Sequence, residues 1–129
     1  MDNHTNALTA AQWSVMECLW QAGSLTGRQA TEQLQEQMGW NRSTTLTLLR
    51  RLEQKGFVTS HDQKGVKTFF PALCREDAVL LETESFLERV YHGSVSMMLS
   101  ALTQKAALSK EELDELHALL DETEGKRND

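Results

Sequence analysis

Apolar residues recur along the chain at two different spacings, and the change between them divides it into segments. From Thr9 onward, Trp13, Met16, Leu19 and Trp20 fall three to four residues apart, the spacing of one helical face. Thr9 and Gln12 have capping-box spacing, Leu8 is placed to staple against Trp13, and Gly23 is placed to stop the helix. A second helix is expected from Thr26, with Gln29 three residues on, a stripe of Ala30, Leu34 and Met38, and a stop at Gly39. A third runs from about Arg42 to Lys55, capped by Asn41 or Ser43 and ended by Gly56. Ser24-Leu25-Thr26 is a short connection with room for one pair of edge-strand residues.

After Gly56 the texture changes. Phe57-Val58-Thr59-Ser60-His61 and Lys67-Thr68-Phe69-Phe70 are rich in β-branched and aromatic residues and flank the turn sequence Asp62-Gln63-Lys64-Gly65, which reads as a β-hairpin. Pro71, the only proline, closes this segment. Helical spacing then returns. Val79, Thr83, Phe86, Leu87 and Val90 share one face of a helix over 76–91, and His92-Gly93 caps it. Ser94 can cap a short helix with Val95, Met98, Leu99 and Leu102 inward. Ser109 and Glu112 have capping-box spacing ahead of Leu113, Leu116, Leu119 and Leu120, and the polar end from Gly125 to Asp129 is expected to fray.

Three helices followed by a hairpin is the order of a winged helix-turn-helix, whose third helix enters the DNA major groove. The fold expected is therefore mainly α: a winged-helix DNA-binding domain over 1–73, then a three-helix dimerisation domain over 74–129. At 100° per residue, Thr45, Leu48, Leu49 and Leu52 share the core side of the third helix. Ser43, Thr47, Arg50 and Gln54 lie opposite, flanked by Leu46 and Arg51, and no acid precedes Glu53. Hydroxyls bond phosphates or bases, Arg reaches guanine edges in a bidentate fork, and Leu can touch a thymine methyl. Ser43, Leu46, Thr47 and Arg50 are accordingly read as base-reading residues. Arg42, Thr44, Arg51, Lys55 and the hairpin lysines Lys64 and Lys67 are read as phosphate-binding.

Charge changes how this pattern is understood. The net charge of −6 argues against a nucleic-acid partner when taken as a total. Residues 1–71, however, hold seven basic and six acidic side chains, a sum of +1, whereas residues 72–129 hold six and thirteen, a sum of −7. Residues 40–70 carry six basic side chains against Glu53 and Asp62, a local +4. The asymmetry suits one part that meets a polyanion and one that does not.

The last three helices are too short to make a robust core of their own, and two copies packed together would supply one. Phe86, Leu87, Val90, Met98, Leu102, Leu113, Leu116 and Leu120 are the residues expected at that seam. No apolar run is long enough to span a bilayer, and the polar N-terminus has no signal-peptide pattern, so a cytoplasmic protein without membrane insertion is expected. No catalytic motif is present and the reading is of a non-enzyme without cofactor. His4, His61, His92 and His117 with Cys18 and Cys74 match no zinc spacing, and the cysteines read as free thiols. Trp13 and Trp20 are placed for the core; Trp40, in the turn before the third helix, can pack there or meet the DNA backbone.

These segments resemble the penicillinase repressor family of bacterial transcription regulators (BlaI/MecI, with the copper-responsive CopY branch). The matching stretches are Leu8-Thr9-Ala10-Ala11-Gln12-Trp13 with Leu19-Trp20, Thr44-Thr45-Leu46-Thr47-Leu48-Leu49-Arg50-Arg51-Leu52, Lys55-Gly56, Phe86-Leu87-Glu88-Arg89-Val90 with Gly93-Ser94, and Leu108-Ser109-Lys110-Glu111-Glu112-Leu113. The likeness runs in order from about residue 8 to 122. It implies a homodimeric repressor that binds palindromic double-stranded operator DNA. The copper branch carries a C-terminal C-x-C motif, and this chain has no cysteine after Cys74. The penicillinase branch is cut at an Asn–Phe bond in the second C-terminal helix, where this chain reads Ala101-Leu102. The alternatives are a winged-helix module for a protein partner, against which the acid-free outer face argues, and a regulator gated by a thiol or a small molecule.

Overall fold

The computed structural model describes residues 7–104 and 108–127. Its elements are α1 (Ala10–Ala22), β1 (Leu25–Thr26), α2 (Gly27–Met38), α3 (Arg42–Lys55), β2 (Val58–Gln63), β3 (Val66–Pro71), α4 (Arg75–Tyr91), α5 (Val95–Gln104) and α6 (Lys110–Arg127). The contacts group them into two compact units, Met1–Ser85 and Phe86–Asp129, with α4 contributing to both.

The first unit is a winged helix, and local chemistry sets its helix boundaries. Thr9 and Thr26 each accept a hydrogen bond from the third helical amide, while Gln12 and Gln29 reach back to the amides of Thr9 and Thr26, so both expected capping boxes are complete. Asn41 caps α3 by accepting from the Thr44 amide at 2.8 Å, which decides between the two candidates, Asn41 and Ser43. Gly39 and Gly56 end α2 and α3 in the left-handed region, where a Cβ is costly.

The sheet is antiparallel with the order β1-β3-β2. Leu25 pairs with Phe69 and Thr26 with Thr68, so the two-residue connection is a true edge strand. The turn is tighter than the expected Asp62–Gly65 span: pairing continues to Gln63 opposite Val66, leaving Lys64 and Gly65 at the tip. Their φ values of +53° and +82° are those of a two-residue primed turn, whose twist matches that of the strands it joins.

Behind the sheet, Val15, Met16 and Leu19 of α1, Ala30 and Leu34 of α2, and Leu48, Leu49 and Leu52 of α3 form one core with Phe57, Val58 and Phe69. Met38 lies outside it, 47% exposed at the last turn of α2, so the expected third member of that stripe reaches solvent. Trp13 and Trp20 meet edge to face, centroids 5.3 Å apart, and are partly rather than fully buried. The indole of Trp20 donates to the Leu73 carbonyl at 2.8 Å.

The first unit continues past the boundary expected at 73/74. Ala78 is buried in its core, and the Glu82 carboxylate accepts from the Leu8 amide at 2.7 Å. Arg75 donates to Glu17 at 2.8 Å, and that contact raises the Arg75 pKa further. The buried positions of α4 are Ala78 and Ser85, on a different face from the expected Val79-Thr83-Phe86 stripe. Small side chains permit close helix packing, while Val79, Phe86 and Val90 are each about two-fifths exposed, at 39%, 42% and 42%.

In the second unit, His92 and Gly93 close α4 with amides bonded to the Glu88 and Leu87 carbonyls. Ser94 caps α5 through the Met97 amide, and Ser109 caps α6 through that of Glu112. α6 runs through Gly125 to Arg127, beyond the point where fraying is expected; Asn128 and Asp129 lie outside the described residues. None of the residues expected inward on α5 and α6 is buried, with Val95 at 51% and Leu120 at 58% exposure. Among the described residues, no helix is long and apolar enough to cross a membrane.

Candidate nucleic-acid interface

The core fixes which side of α3 faces out. Thr45, Leu48, Leu49 and Leu52 are buried, at the positions the helical spacing assigns. With that face anchored, Arg42, Ser43, Thr44, Arg50 and Arg51 are exposed and Thr47 is half-buried. The first turn of α3 holds no acid. Its one carboxylate, Glu53, is turned to the wing, where it accepts from the Ser60 hydroxyl at 2.5 Å. The outer face is thus a stripe of hydroxyls and guanidinium groups.

Leu46 is less outward than the sequence suggests. It packs partly against the core and lines a pocket with Gly27, Arg50, Glu53, Lys67 and Phe69. A Cβ placed on Gly27 would lie 3.5 Å from the Leu46 Cδ2 and 3.8 Å from the Phe69 ring. The first turn of α2 and the wing strand β3 therefore border the outer face of α3. Sequence reasoning does not mark Gly27 and Phe69, because their places depend on long-range packing and not on spacing.

The basic residues divide by what they touch. Lys64 and Lys67 are exposed on the wing, with the Lys67 ammonium 5.3 Å from the Phe69 ring centroid. Lys55 differs from them: its ammonium donates to the Ala7 carbonyl at 3.0 Å and to the Gln12 side chain at 3.1 Å. It ties the end of α3 to the start of α1. Trp40 packs partly against the core.

The thiols are unpaired. Cys18 is buried, and burial, aided by the neighbouring Glu17 carboxylate, pushes its pKa up, which favours the inert thiol; Cys74 is exposed. Among the described residues, no group of three potential ligands is placed to hold a metal ion.

Comparison with known proteins places this surface in context. The chain is 28% identical over 120 residues to the methicillin resistance regulatory protein MecI of Staphylococcus aureus (strain N315), covering 93% of this chain and 98% of MecI. It is 27% identical over 122 residues to the penicillinase repressor of Bacillus licheniformis, covering 95% of each. Its fold matches the solution structure of the Bacillus licheniformis BlaI monomeric form in complex with the blaP half-operator, with a TM-score of 0.51 and 26% identity over 54% of this chain and 85% of that one. The model of the penicillinase repressor family matches residues 8–122, and the chain belongs to that family.

Proposed function

We propose that this protein is a cytoplasmic, homodimeric transcriptional repressor that binds double-stranded operator DNA in a sequence-specific manner and has no enzymatic role. The observation that carries this reading is the outer face of α3, where Ser43, Thr47 and Arg50 project, the one carboxylate of the helix, Glu53, is engaged by Ser60, and Leu48, Leu49 and Leu52 hold the helix from behind. In the major groove, Arg50, Thr47 and Ser43 would read base edges, with the partly exposed Leu46 as an apolar contact. Arg42, Thr44, Arg51, Lys64 and Lys67 would hold phosphates. Lys55 has two of its three donors engaged within the fold, which leaves one for a phosphate.

The second unit supports the pairing. Phe86, Leu87, Val90, Met98, Leu102, Leu113, Leu116 and Leu120 recur at helical spacing and none is buried in the single chain. A partner copy would remove that apolar surface from water and set the distance between two recognition helices. The test is enrichment of bound fragments from genomic DNA by the full chain. A shared motif with dyad symmetry is expected. Fragments with no common motif would sink the sequence-specific reading, and a motif without symmetry would sink the dimer.

A further inference from the structure

A pair of arginines lies beside the recognition face. Arg28, in the first turn of α2, and Arg42, in the first turn of α3, line one shallow depression with Thr31 and Glu32. The neighbouring pocket, shared by Gly27 with Leu46 and Arg50, places this end of α2 next to the proposed reading surface. Resting on the DNA-binding reading above, we propose that Arg28 and Arg42 together hold one phosphate of the DNA backbone where α2 meets α3, and that Glu32 is the counter-charge Arg28 leaves on binding.

The fold gains little from Arg28. A cation in the first helical turn opposes the helix dipole, and α2 has no acid there to offset it. In the second half of the chain the first-turn cations are offset: Arg75 is followed by Glu76 and Asp77 in α4, and Lys110 by Glu111 and Glu112 in α6. Arg28 does meet Glu32 at 3.2 Å, but the pair has the weaker order, cation before acid, and its side chains are 88% and 65% exposed. An ion pair in that setting contributes next to nothing to stability.

The chemistry suits a phosphate. Two guanidinium forks and one carboxylate leave the depression with a single surplus positive charge. A guanidinium offers paired donors in a fork that matches phosphate oxygens. Thr31 already donates to the Gly27 carbonyl at 2.8 Å, so the arginines and not the threonine would supply the donors. In a helix-turn-helix the helix before the recognition helix crosses the DNA backbone, which is where this end of α2 would lie.

The experiment uses the full chain and a duplex enriched from a random pool by the unmutated protein, with a scrambled duplex beside it. Affinity is measured across about 50–200 mM salt, the range over which phosphate contacts show. Arg28→Gln is expected to weaken binding to both duplexes by a similar factor and to make the slope of log affinity against log salt shallower, by no more than about 0.9 per chain because Arg42 stays on the same phosphate. Arg28→Lys should keep the slope and lose part of the affinity. Glu32→Gln should tighten binding, and that gain should shrink when Arg28→Gln is also present. An unchanged salt slope in Arg28→Gln, or a loss confined to the enriched duplex, overturns the phosphate assignment while leaving the repressor reading intact. Failure of the unmutated protein to enrich or bind any duplex overturns both. Thermal melts of the variants should match the parent, because neither side chain enters the core; a large drop in melting temperature would mark Arg28 as structural and sink the proposal.

Discussion

The two units solve the burial problem differently. Every buried hydrophobic residue among those described, from Leu8 to Ala78, belongs to the first unit, and no described residue from Phe86 onward is buried. The first unit closes its own core with three helices and a small sheet. The second has comparable apolar spacing on its helices, and among the described residues none of that surface is buried. Helical periodicity therefore says which face of a helix is apolar. It does not say whether the cover comes from the chain itself or from another molecule.

The largest effect is expected where that difference is attacked directly. Leu116→Asp with Leu120→Asp places two carboxylates one turn apart on α6. If this face is the dimer seam, each charge must be buried or the interface given up, and burying even a neutral polar group unpaired costs about 2 kcal/mol or more. Dimer dissociation should rise about a thousandfold, which is about 4 kcal/mol. The first unit should keep its amide chemical shifts. A variant that sediments as the parent does would move the seam elsewhere.

Leu49→Ala makes the converse test. Leu49 is 0% exposed at the centre of the first unit. Its truncation should cost about 2–5 kcal/mol in urea unfolding, from lost transfer energy and the cavity left behind. Leu120→Ala, at 58% exposure, should leave the unfolding of the first unit unchanged. Similar losses from both would mean that the two units unfold as one.

Arg50→Ala separates the proposed reading residue from the scaffold behind it. If Arg50 contacts a base, specific affinity should fall by about 1–3 kcal/mol, with relaxed preference at one base pair. Stability should hold, since Arg50 is exposed. Equal losses on specific and scrambled duplexes would reassign Arg50 to the phosphates.

What is legible in the sequence follows the same division. Thr9, Gln12, Thr26, Gln29 and Asn41 act through partners three residues away, so the starts of α1, α2 and α3 can be read locally. The buried side of α3 can be read because four positions recur at helical spacing over a core that the same chain supplies. The buried face of α4 cannot, because Ala78 and Ser85 carry no strong apolar signal and their burial depends on packing far along the chain. The engagement of Lys55 is hidden for a related reason: a basic residue at the end of a recognition helix looks free until Ala7 and Gln12 are seen beside it. Arg28 escapes notice because a cation also stands in the first turn of α3, α4 and α6, and only the depression it lines with Arg42 sets it apart.

The smallest predicted effect lies at the wing tip, where stability and the proposed function pull apart. Lys64 has a left-handed backbone, φ +53°, a conformation that costs a residue with a long side chain about 1 kcal/mol and that asparagine tolerates better. With Gly65 already in place, the change Lys64→Asn would also complete the Asn-Gly pair that two-residue hairpins favour. It should therefore stabilise the first unit by a few tenths to about 1 kcal/mol in urea unfolding. If the lysine holds a phosphate, the same change should weaken binding to specific and scrambled duplexes alike and reduce the salt slope by about 0.9 per chain. A strained lysine retained at the tip is then explained by what it binds. A variant that gains stability and loses no affinity would make the wing tip a solubilising turn, and the phosphate track would end at Lys67.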